Sequence, residues 1–453
     1  MRGFIPLVLL QERHAMTLFR LSCIAASAAL VVACGGSGDS GPKRGDLIDP
    51  AATLVTLTAA QIDGATAANG LQTLTGAALC DVKVVALNYA TVGVKAGENT
   101  NASGVMLLPT GAAGSACATG AAPLLAYARG TDVNKSRALA NPQDPETLLL
   151  AAFFAAQGYA VVATDYLGYN KSAYGFHPYL HADSEATAVI DSVRAARHAA
   201  TALGGKLSGK VMFSGYSQGG HSAMAAQRAA ERDHAQEISV AGGAHLAGPY
   251  NMAGAMKVPQ AIAGYQFFVP FIITAWQKVY GNIYSKPEDV FKPPYATGIN
   301  DLLPAVNGSY TKLVTDGKLP GGTPDQARDA LIQPTFLQTM LTDDKAPINA
   351  AAQTNTLFGW KPKAPVLLCG GAGDPTVPPT VHQAPMVANF AGNGVTVQSV
   401  DVDALIQSTF GPGGKAPTDP ASPEFAAYYG AYHGSYEPPF CLAAARGLFN
   451  QVR

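Results

Sequence analysis

KVMFSGYSQGGHSAMAAQR, residues 210–228, begins with strand formers (Val211, Met212, Phe213), passes through a glycine-flanked serine, and continues into small, helix-tolerant residues from Ser222 to Arg228 and on to Arg232. The pattern is strand, tight turn, helix, with Ser217 at the corner. Gly215-Tyr216-Ser217-Gln218-Gly219 is the only GxSxG in the chain. A serine raised on such a turn needs neighbours without side chains two residues away on either side, because a Cβ there would strike the adjoining strand or helix. The turn exposes the hydroxyl and aims the amide of Gln218 and the start of the helix at whatever sits above it. Ser217 is therefore the candidate nucleophile. A plain glycine-rich turn is the alternative in a chain with 48 glycines.

Outward from this stretch, strands alternate with helices. Leu124–Ala128 reads as a buried strand and Pro145–Gln157 as a helix, with Asp144 at its N-cap and Gly158 past its end. Tyr159–Asp165 is the next strand. A helix capped by Asp183 or Ser184 runs to Ala202, its Val189, Ile190, Val193, Ala196 and Ala200 forming one apolar face. Ile238–His245 follows the serine helix as another strand. Upstream, Val82–Val92 and Gly104–Leu108 flank a turn-rich stretch and predict an antiparallel hairpin. The class is α/β, with a mostly parallel central sheet covered by helices on both faces and ligands at the carboxyl ends of its strands.

Residues 249–363 break the alternation. They hold Tyr265, Phe267, Phe268, Phe271, Trp276, Tyr280 and Tyr284, a proline-rich loop at Pro293-Pro294, and helix-like pieces from Pro324 to Leu341. They read as a mainly helical cap inserted between two parts of one core, 51–248 and 364–453. Its aromatics either form the cap's own core or wall an acyl or aryl pocket. The sheet resumes at Pro365–Leu368, Val395–Val402 is its last strand, and Phe440–Phe449 a closing helix.

A serine hydroxyl needs a base, and the imidazole that serves needs a carboxylate to orient it. Asp374 follows an apolar strand and a glycine-rich turn, at the edge where Ser217 lies. Asp403, at the end of the last strand, is the runner-up. His433 stands in a loop ahead of the final helix, whereas His382 follows Asp374 too closely on the outgoing helix. Arg129 precedes the Gly130-Thr131 turn as a structural ion-pair partner. Residues 411–423 form a surface insertion in the long interval between Asp374 and His433.

The order Ser217, Asp374, His433 is that of the α/β-hydrolases. The segments 163–168 (ATDYLG), 177–180 (HPYL) and 184–186 (SEA) resemble the secretory lipase and carboxylesterase branch of that superfamily. The resemblance covers roughly half the chain, and it implies ester hydrolysis through an acyl-enzyme with no cofactor and no metal. It places the oxyanion hole at the amides of Gln218 and of the Gly130-Thr131 turn. The chain departs from the superfamily in that turn, which reads Arg129-Gly130-Thr131-Asp132 where His-Gly is often found. A serine peptidase of the same fold would hold a peptide amine with Glu288, Asp289 or Asp301. A cofactor-free perhydrolase shares the triad, and a non-catalytic binding protein would not need it.

With 30 Lys+Arg against 31 Asp+Glu, the chain offers nothing to attract nucleic acid. Leu21–Val32 is an apolar run of signal-peptide length, preceded by Arg20. With Val31-Val32-Ala33-Cys34 it resembles a bacterial lipoprotein signal, which implies export, cleavage after residue 33 and lipid attachment at Cys34. Met16 is the expected start. Residues 34–50 read as a flexible tether, and any membrane contact would be through the lipid. Of six cysteines, four remain in the body. In an oxidising compartment chain proximity pairs Cys80 with Cys117 and leaves Cys369 with Cys441; buried free thiols are the alternative.

Overall fold

The computed structural model describes residues 41–453; the signal segment, Cys23 and Cys34 lie outside them. Nine strands form one sheet: β1 (Ala52–Leu57), β2 (Asp81–Val92), β3 (Asn99–Thr110), β4 (Ala122–Ala128), β5 (Ala160–Tyr166), β6 (Leu207–Tyr216), β7 (Ser239–Leu246), β8 (Val366–Gly370) and β9 (Gln398–Asp401). Their order is β1-β2-β3-β5-β4-β6-β7-β8-β9. The first three strands are antiparallel, as is β3 to β5, and every pairing from β5 to β9 is parallel. This is the α/β-hydrolase fold.

Alternation along the strands sorts the core into two layers. Leu124 and Ala126 of β4, with Val211 and Phe213 of β6, face the helices Ala182–Ala202 and Gln218–Asp233. Leu125, Tyr127 and Met212 face the helices Pro145–Phe153 and Glu437–Val452 on the other side. Both faces are covered, so the central strands are apolar throughout, as in APLLAYA of β4.

Two helix expectations and two at the ends of the chain need correction. The long helix starts at Ala182, directly after His181 as its N-cap, so Asp183 and Ser184 lie in its first turn and the Ser184 hydroxyl bonds back to His181. The helix after Asp144 stops at Phe153 and closes in a short 3-10 turn to Gln157. The described part of the tether is docked: Gly45 donates to the Ala90 carbonyl, Ile48 to that of Asn88, and Arg44 pairs with buried Asp191 at 3.1 Å. β2 leaves those carbonyls free to accept beyond the end of β1, and the chain takes them up. The last strand is only Gln398–Asp401.

Both disulfides are those expected, Cys80–Cys117 and Cys369–Cys441. Between β7 and β8 the chain builds no sheet strand. It packs around its own core of Phe271, Trp276, Ile273, Phe291 and Leu331, to which Tyr179 and Leu180 of the main body contribute. Its aromatics are thus chiefly internal packing. The segment is stitched to the body on two sides, by Ala305, whose amide donates to the Val133 carbonyl and whose carbonyl accepts the Lys135 amide, and by the Ala263 amide on the Pro375 carbonyl.

Candidate active site

β6 ends at Tyr216 and the next helix starts at Gln218, leaving Ser217 alone at the junction with φ 58° and ψ −121°. A non-glycine residue there is strained, and the surroundings hold it: its amide donates to Leu246 at 2.9 Å. The flanking glycines are required by space. A Cβ on Gly215 would lie 2.2 Å from the Gly219 carbonyl oxygen, and one on Gly219 would lie 1.8 Å from that of Ala128.

Asp374 sits in the turn after β8, its side chain buried. Oδ1 accepts from the amides of Thr376 at 2.8 Å and Val377 at 3.1 Å, while Oδ2 meets His433 Nδ1 at 2.7 Å. The other imidazole nitrogen, Nε2, is 2.8 Å from Ser217 Oγ. Burial works to raise the Asp374 pKa, but the imidazole and the two amides outweigh it and hold the carboxyl below its ordinary range. Three side chains from distant parts of the chain thus form one hydrogen-bonded line, in which an imidazole can take a proton from a hydroxyl.

His433 is not in a loop. It lies in a π-helical turn, Tyr432–Tyr436, between the helices Pro423–Ala431 and Glu437–Val452. Pro438 and Pro439 explain the wider turn, since neither has an N–H to continue an α-ladder and each ring would strike the carbonyl four residues back. Tyr216 supports the imidazole, its hydroxyl donating to the His433 carbonyl at 2.6 Å.

Asp403 and His382 stand elsewhere. Asp403 accepts from Tyr432 and Gln407. His382 is enclosed beside Asn251, and burial lowers its pKa to about 3. Glu288, Asp289 and Asp301 are on the exposed surface of the inserted segment, Asp301 paired with Lys278. Side chains of metal-binding type converge, among the described residues, only at Asp374, His433 and Glu437. There the imidazole is already committed to Asp374 and Ser217.

The turn after β4 corrects one oxyanion assignment. The Gly130 amide donates to Glu146 Oε1 at 3.1 Å, so its N–H is already engaged by a carboxylate. Glu146 is held in turn by Arg137, which also pairs with Asp132 and Asp144. A carboxylate 16 residues downstream captures the amide that the local pattern leaves open. The hydroxyl of the next residue, Thr131, meets that of Tyr179 at 2.8 Å. Among the described residues Arg129 makes no ion pair either. It is fully buried, with its guanidinium 4.2 Å from the centre of the Tyr169 ring.

Under the serine helix lies a network that the sequence reading missed. Gln218 Nε2 donates to Glu185 Oε1 at 2.6 Å and meets His177 Nε2 at 2.7 Å, and the other Glu185 oxygen takes His221 Nδ1 and the Ser222 hydroxyl. Because Gln218 donates, His177 Nε2 is the acceptor and its Nδ1–H points to the Leu167 carbonyl. Burial lowers the His177 pKa to about 4, consistent with that neutral tautomer. Glu185 and His177 fall in two of the segments that carry the family resemblance; their meeting under Gln218 is visible only in three dimensions. Above, Tyr179 stacks on Phe271 of the inserted segment at 4.3 Å, and Tyr310 rests edge-on against Phe267.

The model of the secretory lipase family matches residues 135–315. No curated protein sequence matches the chain. Among solved structures, the rice cell wall degrading esterase LipA from Xanthomonas oryzae is 32% identical with a TM-score of 0.77, over 91% of this chain and 100% of that one. A putative hydrolase from Legionella pneumophila is 22% identical over 90% and 98% of the two chains, with a TM-score of 0.71. Lipase A from Candida antarctica, at 16% identity, a TM-score of 0.55 and 91% of each chain, shares the fold. Full-length similarity to an esterase, together with the secretory lipase match, places this chain in the lipase and esterase branch of the α/β-hydrolases, as a carboxylic ester hydrolase.

Proposed function

We propose that the chain is an exported serine esterase that cleaves carboxylic esters through Ser217, His433 and Asp374. The observation that carries the reading is the unbroken line from Asp374 Oδ2 to His433 Nδ1 at 2.7 Å and from His433 Nε2 to Ser217 Oγ at 2.8 Å. His433 takes the serine proton as Ser217 attacks the ester carbonyl. The oxyanion is received by the amide of Gln218, at the positive end of its helix, and by that of Thr131. The imidazolium, held by Asp374, gives its proton to the departing alcohol. Water then enters, gives a proton to His433, and attacks the acyl-enzyme to release the acid and restore Ser217.

Residues 249–363 act as the cap over the acyl side of the substrate, joined to the body where Tyr179 stacks on Phe271 at 4.3 Å. Residues 1–33 are the cleaved lipoprotein-type signal and Cys34 the lipid-bearing residue, so the enzyme works outside the cytoplasm, where its two disulfides persist.

Hydrolysis of p-nitrophenyl esters from acetate to palmitate tests this, comparing the chain from Gly35 onward with Ser217→Ala, beside an aminoacyl-p-nitroanilide panel. The expected result is ester turnover that disappears in the variant, with a chain-length profile set by the space beneath the cap. Anilide turnover in place of ester turnover would make the enzyme a peptidase.

A further inference from the structure

Glu437 is the acidic side chain of the site that the mechanism leaves unused. It opens the terminal helix, one π turn after His433, and is fully enclosed. Oε1 accepts the Gly371 amide at 2.7 Å. Oε2 is 3.1 Å from the Tyr216 hydroxyl and 3.9 Å from His433 Nδ1, and a carboxyl oxygen of Glu437 lies within 4.8 Å of one of Asp374. The titratable groups facing it are Asp374 from the β8 turn, His433 from the π turn, Tyr216 from β6, Tyr432, and Tyr250 from the loop after β7. Among the described residues neither carboxyl pairs with a lysine or arginine. Two enclosed carboxyls this close to a single imidazole do not both ionise.

Counting hydrogens says where the proton is. Tyr216 has one hydroxyl hydrogen, and the His433 carbonyl at 2.6 Å takes it. Asp374 Oδ1 is filled by two amides, while Oδ2 accepts one bond from the imidazole and keeps a free lone pair. Glu437 Oε2 faces the spent tyrosine oxygen at 3.1 Å and, at 3.9 Å, an imidazole N–H already given to Asp374, so no neighbour lends it a hydrogen and it supplies its own. Burial and the neighbouring Asp374 charge push the Glu437 carboxyl well above its ordinary range, while Asp374 is held below its own.

We propose that Glu437 is a positioning residue of the site, held as the neutral acid, which donates its proton to Asp374 and keeps that carboxylate aimed at His433 Nδ1. This rests on the triad reading above. Glu437 does not touch substrate, and its proton stays in place through the cycle.

Glu437→Leu removes the donor and Glu437→Gln replaces it with an amide N–H. In the leucine variant kcat is expected to fall between about 10-fold and 100-fold with KM unchanged, the scale of an ångström-sized misplacement. Glutamine is expected to rescue most of that loss and to leave the acid limb of the kcat/KM profile where it is in the wild type. Infrared spectra at pH 8 are expected to show a neutral carboxylic acid band that Glu437→Gln removes. An acid limb moved down by about one pH unit in Glu437→Gln would mean that Glu437 acts as an anion beside the imidazolium, and would overturn the proposal. So would a leucine variant with wild-type kcat and profile, or no infrared band. Failure of the triad reading looks different: turnover survives Ser217→Ala, while the infrared band still reports the state of Glu437.

Discussion

Replacing Cys369 and Cys441 by alanine is expected to lower stability and turnover together, whereas the same change at Cys80 and Cys117 is expected to lower stability alone. The bridges close intervals of 72 and 37 residues. Loop-closure entropy makes each worth about 4 kcal/mol, so on stability the two variants are near equals. They differ in what they join. Cys369 lies at the end of β8, just before the turn that carries Asp374, and Cys441 lies one helical turn past Glu437. That bridge fixes the acid strand against the histidine helix, across the 2.7 Å contact between Asp374 and His433. Cys80 and Cys117 stand beyond the opposite ends of the strands, at the start of β2 and after β3. Urea unfolding and kcat on one p-nitrophenyl ester, measured on both double variants at a temperature where both are folded, separate the cases. A loss of about 4 kcal/mol in each, with kcat reduced only in the Cys369/Cys441 variant, is the expected outcome. Unchanged kcat in both would show that packing alone sets the register between β8 and the terminal helix, and the argument from the bridge would fail.

Gly219→Ala is expected to cut kcat by about 10²- to 10³-fold, the scale of losing an oxyanion donor, because its Cβ would drive the serine helix from Ala128 and Arg129; retained turnover with p-nitrophenyl esters would contradict that packing. Stability is expected to fall with acidification below about pH 6.5. Burial lowers His245 and His382 to about 3 and His177 to about 4. Between those values and 6.5 the unfolded chain binds protons that the folded chain does not, so stability rises with pH across that window and is lost as pH falls through it. Each histidine contributes a slope of up to about 1.4 kcal/mol per pH unit, and His245→Gln is expected to remove one such contribution from urea midpoints measured at pH 5 and pH 6. An undiminished slope would place the acid sensitivity elsewhere.

The parts of the molecule that local pattern dictates were legible in the chain. A buried strand must be apolar on both faces, a sharp turn must have small neighbours, and helix ends are marked by Asp144 and Gly158; these located β4 to β8 and the serine corner. Asp374 followed from its place after a strand, His433 from order along the chain. What stayed hidden depends on partners far apart in sequence. Nothing near Gly130 shows that Glu146 will take its amide, and nothing near Glu437 shows that the residue is enclosed beside another carboxyl. The π turn is written in Pro438-Pro439, but those residues read equally well as an ordinary helix start. The docking of residues 41–50 requires knowing that β2 outruns β1.

A base carried on a helix moves only when the helix moves. The run from Pro423 to Val452 is helical on both sides of His433, and Cys441 rivets it to β8. In the proposed mechanism stiffness is thereby concentrated where the proton would be transferred, and the compliance that entry and exit of an ester require would fall to residues 249–363. The chemical step and the passage of substrate would then be mechanically separate, so that a change in one could be selected without retuning the other.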